Sequence, residues 1–250
     1  NFRFRPGEVT LHAGINGHGK SLIVGQCILW LLPQTRALVA SMEMGVDATM
    51  ERMLRQAAGT SEPAIRYMER FMPWTDDRLW IYDQLDTVDH ERILGMVHYA
   101  AEVLGIKHIV IDSLMKCGIN TDDYNGQKAF VDRLCFAARR HAIHIHLVAH
   151  IRKTMSEEKI PDKFDVMGAS DITNLVDNIC IHHRNKRKER MLEAGEDVPD
   201  TAPDATLVIG KQRHGEWEGR VPLWFDSCGQ YIPQPNRGPM PWPDPETAQD

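Results

Sequence analysis

Short apolar runs alternate along the chain with longer segments of helical periodicity, the pattern of a sheet whose strands are joined by helices. Val9–His12, Arg36–Ser41, Leu79–Tyr82, His108–Asp112, Ile143–Ala149, Asn178–His183 and Thr206–Gly210 read as strands. Several are apolar at consecutive rather than alternate positions, as a parallel sheet covered on both faces requires. Helical patterns occupy Lys20–Leu32, Val46–Ala58, Glu62–Phe71, Asp89–Leu104 and Gln127–His141. A last strand, Arg220–Phe225, follows the segment Arg213–Gly219, whose glycines suit a hairpin turn. The expected fold class is therefore α/β: a mostly parallel central sheet flanked by helices, with a C-terminal β-hairpin.

Two polar stretches break this pattern and read as long loops. One is Arg152–Gly168, which contains Pro161. The other, Arg184–Pro203, opens on a basic cluster (Arg184, Lys186, Arg187, Lys188, Arg190) and turns acidic, so a solvated insertion is expected ahead of a nucleic-acid patch. Six of the chain's 14 prolines fall from Pro233 onward. Residues 1–232 are accordingly expected to form one domain, and 233–250 an extended proline-rich tail outside the core.

Composition narrows the class. With 250 residues and 42% hydrophobic content, the chain can bury one full-sized core. Its first residues lack a signal-like apolar run, and no stretch approaches the ~18 apolar residues of a membrane span, so it reads as soluble. The chain opens almost at its first core strand, which suggests a fragment lacking N-terminal domains. Its five cysteines are scattered, odd in number and without a C-x-x-C pair, which argues against a disulfide scaffold or zinc ribbon and fits a reducing cytoplasm. A net charge of −6 means that nucleic acid would have to be held by a local basic patch or a pore lined by several subunits.

Chemistry enters at Gly14-Ile15-Asn16-Gly17-His18-Gly19-Lys20-Ser21, which has the G-x-x-x-x-G-K-S form of a P-loop between a strand and a helix. Glycines let backbone N–H groups close on phosphates, and the helix end adds partial positive charge. Lys20 is placed to reach the β and γ phosphates, and the Ser21 hydroxyl to ligate Mg²⁺. The strand ending in Asp112 has the Walker B pattern, an acid that can hold the Mg²⁺ water shell. Glu43, just beyond the strand ending at Ser41, is placed to polarise a water attacking the γ-phosphate. His150 closes its strand where it can sense that phosphate. Lys211 and Arg213, two apart on extended chain, point the same way and are candidates to act on a neighbouring subunit's nucleotide. His141, His144 and His146 have no Cys, Asp or Glu at ligand spacing, so they read as core or sheet-face histidines rather than a metal site.

These motifs, in this order, resemble the RecA-type ATPase domain of DnaB-like hexameric replicative helicases, with phage primase-helicases and the mitochondrial helicase Twinkle as relatives. The resemblance runs from Arg5-Pro6-Gly7-Glu8 through the P-loop, Ser41-Met42-Glu43-Met44 and Val110-Ile111-Asp112-Ser113 to Lys211-Gln212-Arg213. It implies a RecA-like P-loop NTPase core that hydrolyses ATP with Mg²⁺. Gly14, Asn16, Gly17, His18, Gly19, Lys20, Ser21 and Lys211 would bind nucleotide, and Ser21 and Asp112 the metal. Glu43 would be the catalytic base, His150 the γ-phosphate sensor, and Arg213 a finger supplied in trans. Bacterial members usually have glutamine where His150 stands, whereas phage primase-helicases have histidine. The implied partners are single-stranded DNA, further copies of the chain in a hexameric ring, and a fused or separate primase. Loops after Asp112 and His150 would face DNA, with Arg152, Lys153, Lys163 and Gly168 as candidate contacts. The alternatives on the same motifs are a strand-exchange ATPase and a P-loop small-molecule kinase, for which Arg184–Arg190 is the only lid-like feature.

Overall fold

The apolar runs pair side by side because each buries both faces once helices return over them. The computed structural model describes residues 2–151, 160–162, 165 and 169–242. In chain order the elements are β1 (Val9–Gly14), α1 (Lys20–Leu31), β2 (Ala37–Ser41), α2 (Val46–Ala58), α3 (Ile65–Thr75), β3 (Leu79–Ile81), α4 (His90–Glu102) and β4 (His108–Asp112). There follow α5 (Tyr124–His141), β5 (His144–His150), α6 (Ala169–Leu175), β6 (Asn178–Arg184), α7 (Lys186–Glu193), β7 (Ala205–Gln212), β8 (Gly219–Phe225) and β9 (Tyr231–Ile232). The sheet order is β3-β2-β4-β5-β1-β6-β7-β8-β9. Pairs from β3 to β6 are parallel, and β7, β8 and β9 add in antiparallel fashion. This is the expected α/β class with its antiparallel C-terminal strands.

The two sheet faces differ in chemistry. Leu11, Ile109, Ile111, Ile145 and Leu147 form one wholly apolar face, packed with Ile93, Val97, Phe130 and Leu134 of α4 and α5. On the other face, Val39, Val110 and Val148 pack against Val24 and Ile28 of α1. That second face also carries a row of imidazoles, which runs obliquely from the start of β4 toward the end of β6. His182 and His12 meet at 3.1 Å, His12 and His146 at 3.2 Å, and His146 and His108 at 3.2 Å, across β6, β1, β5 and β4. His144 bonds Thr10 Oγ1 at 2.9 Å and the Arg5 carbonyl at 2.8 Å, and the Phe4 ring covers His146 at 4.6 Å. His144 and His146 are thus sheet-face core residues.

Three segments differ from the sequence expectation. The Arg184–Pro203 stretch is not all loop: Asn185 accepts the Lys188 N–H at 3.0 Å and caps α7. Glu189 then pairs with both Arg184 and Lys186, so polar contacts rather than an apolar stripe hold this helix. The helix expected from Glu62 starts at Ile65, beyond Pro63, whose ring disfavours helical geometry in the residue before it. The described part of the proline-rich stretch is extended, but its Trp242 is buried against the Trp74 ring at 4.1 Å and donates its backbone N–H to the Ala57 carbonyl at 2.7 Å. The expectation of a tail outside the core is corrected there, because an indole buries more apolar area than prolines hold in solvent.

Burial holds the imidazole row neutral: His108 is lowered to about 4, His144 and His182 to about 3, and His12 and His146 also lie well below the ordinary imidazole range. Below about pH 6.5 the unfolded chain protonates histidines that the folded chain leaves neutral, so their contribution is full above that pH and is lost as pH falls toward 4. Each such imidazole contributes a slope of up to about 1.4 kcal/mol per pH unit in that window. Urea unfolding at about pH 7.5 and about pH 5 should show a clearly lower midpoint at the acid pH; equal midpoints would contradict a neutral buried row.

Candidate active site

Parallel register brings the candidate residues to one edge. Ser41 is level with Asp112, Asp112 with Val148, and Gly14 with His150, so Glu43, Asp112, His150 and the P-loop stand side by side at the C-terminal ends of β2, β4, β5 and β1. Ligands of open parallel sheets bind at this edge.

The loop between β1 and α1 needs its glycines for different reasons. A Cβ on Gly14 would lie 2.6 Å from the His182 carbonyl oxygen of β6, so the two backbones approach as only glycine allows. Gly19 has φ +79°, and a Cβ there would also collide with the Tyr231 hydroxyl. Gly19 caps α1 without a side-chain bond, leaving first-turn N–H groups directed at the loop, an arrangement suited to phosphate. His18 turns away from the cleft: its Nδ1 accepts the Arg184 N–H at 3.1 Å and ties the loop to β6. Burial, followed by the neighbouring His183, lowers His18 to about 4, leaving that nitrogen free to accept.

Lys20 Nζ donates to the carbonyls of Gly14 at 2.9 Å and Ile15 at 3.0 Å and meets His150 Nδ1 at 3.4 Å. An ammonium only donates, so Nδ1 is the acceptor and the His150 proton sits on Nε2, which faces Glu43 Oε1 at 3.7 Å. Burial and the Lys20 charge lower the His150 pKa, partly opposed by Glu43, which keeps the ring neutral. Glu43 Oε1 also accepts the Ser113 hydroxyl at 3.0 Å. Ser21 Oγ donates to Asp112 Oδ2 at 2.5 Å. Burial raises the Asp112 pKa and lowers that of Lys20, while their mutual attraction opposes both shifts. The Ser21 hydroxyl and Asp112 carboxylate are adjoining hard oxygen donors, a set that fits Mg²⁺ with its water shell.

These side chains border an open cleft of about 660 Å³ that also touches Asn16, Gly17 and Gly19. Five further lining residues were not among the expected site residues: Leu22 of α1, Arg52 of α2, Arg184, Phe225 and Tyr231. Arg184, the first residue of the basic cluster, had a signal in its position at the end of an apolar strand. Arg52 faces Asp112 from a helix whose period marks no functional position, and the two aromatics arrive from strands distant in sequence.

Lys211 and Arg213 lie elsewhere. Gln212 is level with Asn178 at the start of β6, whereas Gly14 is level with His182 near its end. Lys211 Nζ donates to the carbonyls of Thr173 at 2.8 Å and Val176 at 2.7 Å, and Arg213 Nε pairs with buried Asp177 at 3.1 Å. Both cations close the C-terminal end of α6, where they complement its dipole. The DNA-contact candidates Arg152, Lys153, Lys163 and Gly168 lie outside the described residues.

Residues 3–156 match the sequence profile of the AAA domain family. No curated protein sequence matches the chain. The fold is similar to that of a DnaB-like replicative helicase solved in connection with its interactions with primase, at TM-score 0.74 and 16% identity; the match covers 92% of this chain and 58% of that one. A second similar structure, an ATPase domain, also has TM-score 0.74 and 16% identity, covering 92% of this chain and 85% of the other. The chain therefore spans little more than half the length of the first helicase.

Gly14→Ala tests the close approach of the loop to β6. Forcing the two backbones apart is expected to cost about 1–3 kcal/mol of stability, read by urea unfolding, and to weaken binding of a fluorescent ATP analogue. Unchanged stability and unchanged affinity would show that the loop is not held against His182.

Proposed function

The chain belongs to the AAA domain family, and from that premise we propose that it is an ATP-hydrolysing motor domain of a replicative helicase, working as a hexameric ring on single-stranded DNA. The observation that carries this reading is Glu43, anchored by Ser113 and His150 at the mouth of a cleft whose floor holds Lys20, Ser21 and Asp112. A phosphate-binding loop by itself only binds; a carboxylate held over it can take a proton from water.

In the proposed reaction Lys20 and the first-turn N–H groups of α1 hold the phosphates. Glu43 accepts a proton as water oxygen bonds to the γ-phosphorus, and the bond to the β–γ bridging oxygen breaks, giving ADP and phosphate. Bound at Ser21 and Asp112, Mg²⁺ supplies charge neutralisation on the phosphate oxygens. His150 donates from Nε2 and lies between Lys20 and Glu43, so it is suited to link the state of the γ-phosphate to β5 and the segment beyond it. Phe225 and Tyr231 offer ring surface at the rim of the cleft.

Lys211 and Arg213 stand at the other end of the sheet from their own P-loop, so a nucleotide they reach would belong to a second copy. That placement supports a site completed between subunits. The first similar helicase has a structure bearing on primase, and a fused or separate primase is the proposed protein partner here, in a cytoplasmic setting. Arg152, Lys153, Lys163 and Gly168 remain the proposed DNA contacts, holding single-stranded DNA chiefly through its backbone. Among the described residues no helix is long and apolar enough to cross a membrane.

ATP turnover with and without single-stranded DNA, and forked-duplex unwinding, test the reading. Glu43→Gln should lower turnover by about 10²–10⁴-fold with nucleotide binding retained. Arg213→Ala should lower DNA-stimulated turnover by about 10³–10⁵-fold, and mixing it with Glu43→Gln chains should restore part of it. Thermal unfolding controls for loss of the Asp177 ion pair. Turnover that ignores DNA and survives both substitutions would exclude a helicase motor and favour a P-loop kinase or another ATPase.

A further inference from the structure

Remote from the nucleotide cleft, metal-ligating side chains from two helices converge. His98 and Glu102 lie one turn apart on α4, the i, i+4 spacing that shares a helix face. His141 is the last residue of α5, followed by the left-handed Ala142 at φ 49° that turns the chain into β5. His98 Nδ1 and His141 Nε2 are 2.8 Å apart, and Glu102 Oε1 is 3.6 Å from His141 Nδ1. One nitrogen of each ring and one carboxylate oxygen lie within 4.8 Å of one another, a combination found once among the described residues.

Two imidazoles in this contact share a single proton between two lone pairs, and the Glu102 carboxylate stands beside the same His141 ring, nearest its Nδ1. A cation in place of that proton engages both nitrogens, and the exposed Glu102 side chain reaches it by a rotation from the Nδ1 side of the ring toward Nε2. We propose that His98, Glu102 and His141 bind a divalent transition-metal ion of the zinc class, with water as fourth ligand, and that this ion staples α4 to α5.

The donor set is of the right kind. Imidazole and carboxylate suit zinc, whereas magnesium and calcium favour oxygen throughout, so the Mg²⁺ proposed for the cleft does not compete here. Metal–nitrogen bonds of about 2.0–2.1 Å in tetrahedral geometry separate ligand atoms by roughly 3.3 Å. The two rings need open by only about half an ångström from their present contact. The rings already cross at 79°, so neither face blocks the other's nitrogen. The His141 side chain is 8% exposed and Glu102 58%, giving the ion a firm inner ligand and a route from solvent. The helices return antiparallel to the strands, so the staple sits at the sheet end opposite the nucleotide, and its role is structural. It stands or falls independently of the ATPase reading.

The test is a Zn²⁺ titration of the chain in excess Mg²⁺, by competition with a chromogenic chelator, alongside thermal unfolding. One equivalent should bind in the micromolar range, and the melting temperature should rise by roughly 5–10 °C at a hundredfold excess over the Kd. Co²⁺ in the same site should give the visible absorption bands of tetrahedral coordination. Glu102→Gln keeps an exposed side chain of the same size, so folding is retained, and should weaken Zn²⁺ at least ~10-fold and remove most of the thermal shift. His98→Ala should abolish both. No binding tighter than millimolar by the unsubstituted chain, or binding that neither substitution alters, would overturn the site.

Discussion

Everything at the candidate active site depends on the parallel register of four strands. Ser41, Asp112, Val148 and Gly14 belong to strands whose hydrogen-bond ladders permit one alignment, because a slip of one residue would turn each apolar set to the opposite face. With that alignment, a carboxylate beyond β2, an acid ending β4, an imidazole ending β5 and a glycine ending β1 meet. None of the four is brought there by its own local structure. The register is enforced on the sheet's apolar face by Leu11, Ile109, Ile145 and Leu147 packed against the helices.

The other face accepts polarity on strict terms. Its imidazole row is tolerated since each ring finds a neighbour, and desolvation keeps the rings uncharged. The same desolvation acts at the strand tips, where it lowers Lys20 and His150 and raises Asp112. There Lys20 and Asp112 stand within reach of one another, so their attraction offsets part of the burial, while His150 stays neutral. One sheet thus holds an oblique row of neutral histidines and, beside its upper end, a mixed-charge cleft. The difference is the partner available to each group, not the depth of burial alone.

The C-terminal strands do more than extend the sheet. Tyr231 lies against Gly19, and its backbone N–H donates to Gln26 Oε1 at 2.8 Å while its carbonyl accepts from Gln26 Nε2 at 3.0 Å. The P-loop is therefore held from three sides: by β6 under Gly14, by Arg184 through His18, and by β9 over Gly19. Gln230 and Trp242 carry this bracing onward to α2, through Gln56 and Ala57.

Much of this was legible in the sequence, and the boundary has a physical basis. Gly14 to Ser21, Asp112 at a strand end and the alternation of apolar run and helix are local patterns, since phosphate binding and strand burial each demand particular residues a few positions apart. Histidines two apart in β5 had to share a face. What could not be read was any group whose partner is remote in sequence: Tyr231 against Gly19, Trp242 in the core, and α7, whose polar pairs leave no hydrophobic period. His141 shows the boundary in one residue. Beside His144 and His146 in the chain it lacks an acid, yet the packing of α4 on α5 supplies Glu102 and His98. The sequence by itself determined which chemistry each strand tip carries, because that is covalent order. Only the tertiary structure decided which tips and helix ends meet, because that follows from burying apolar faces across the whole sheet at once.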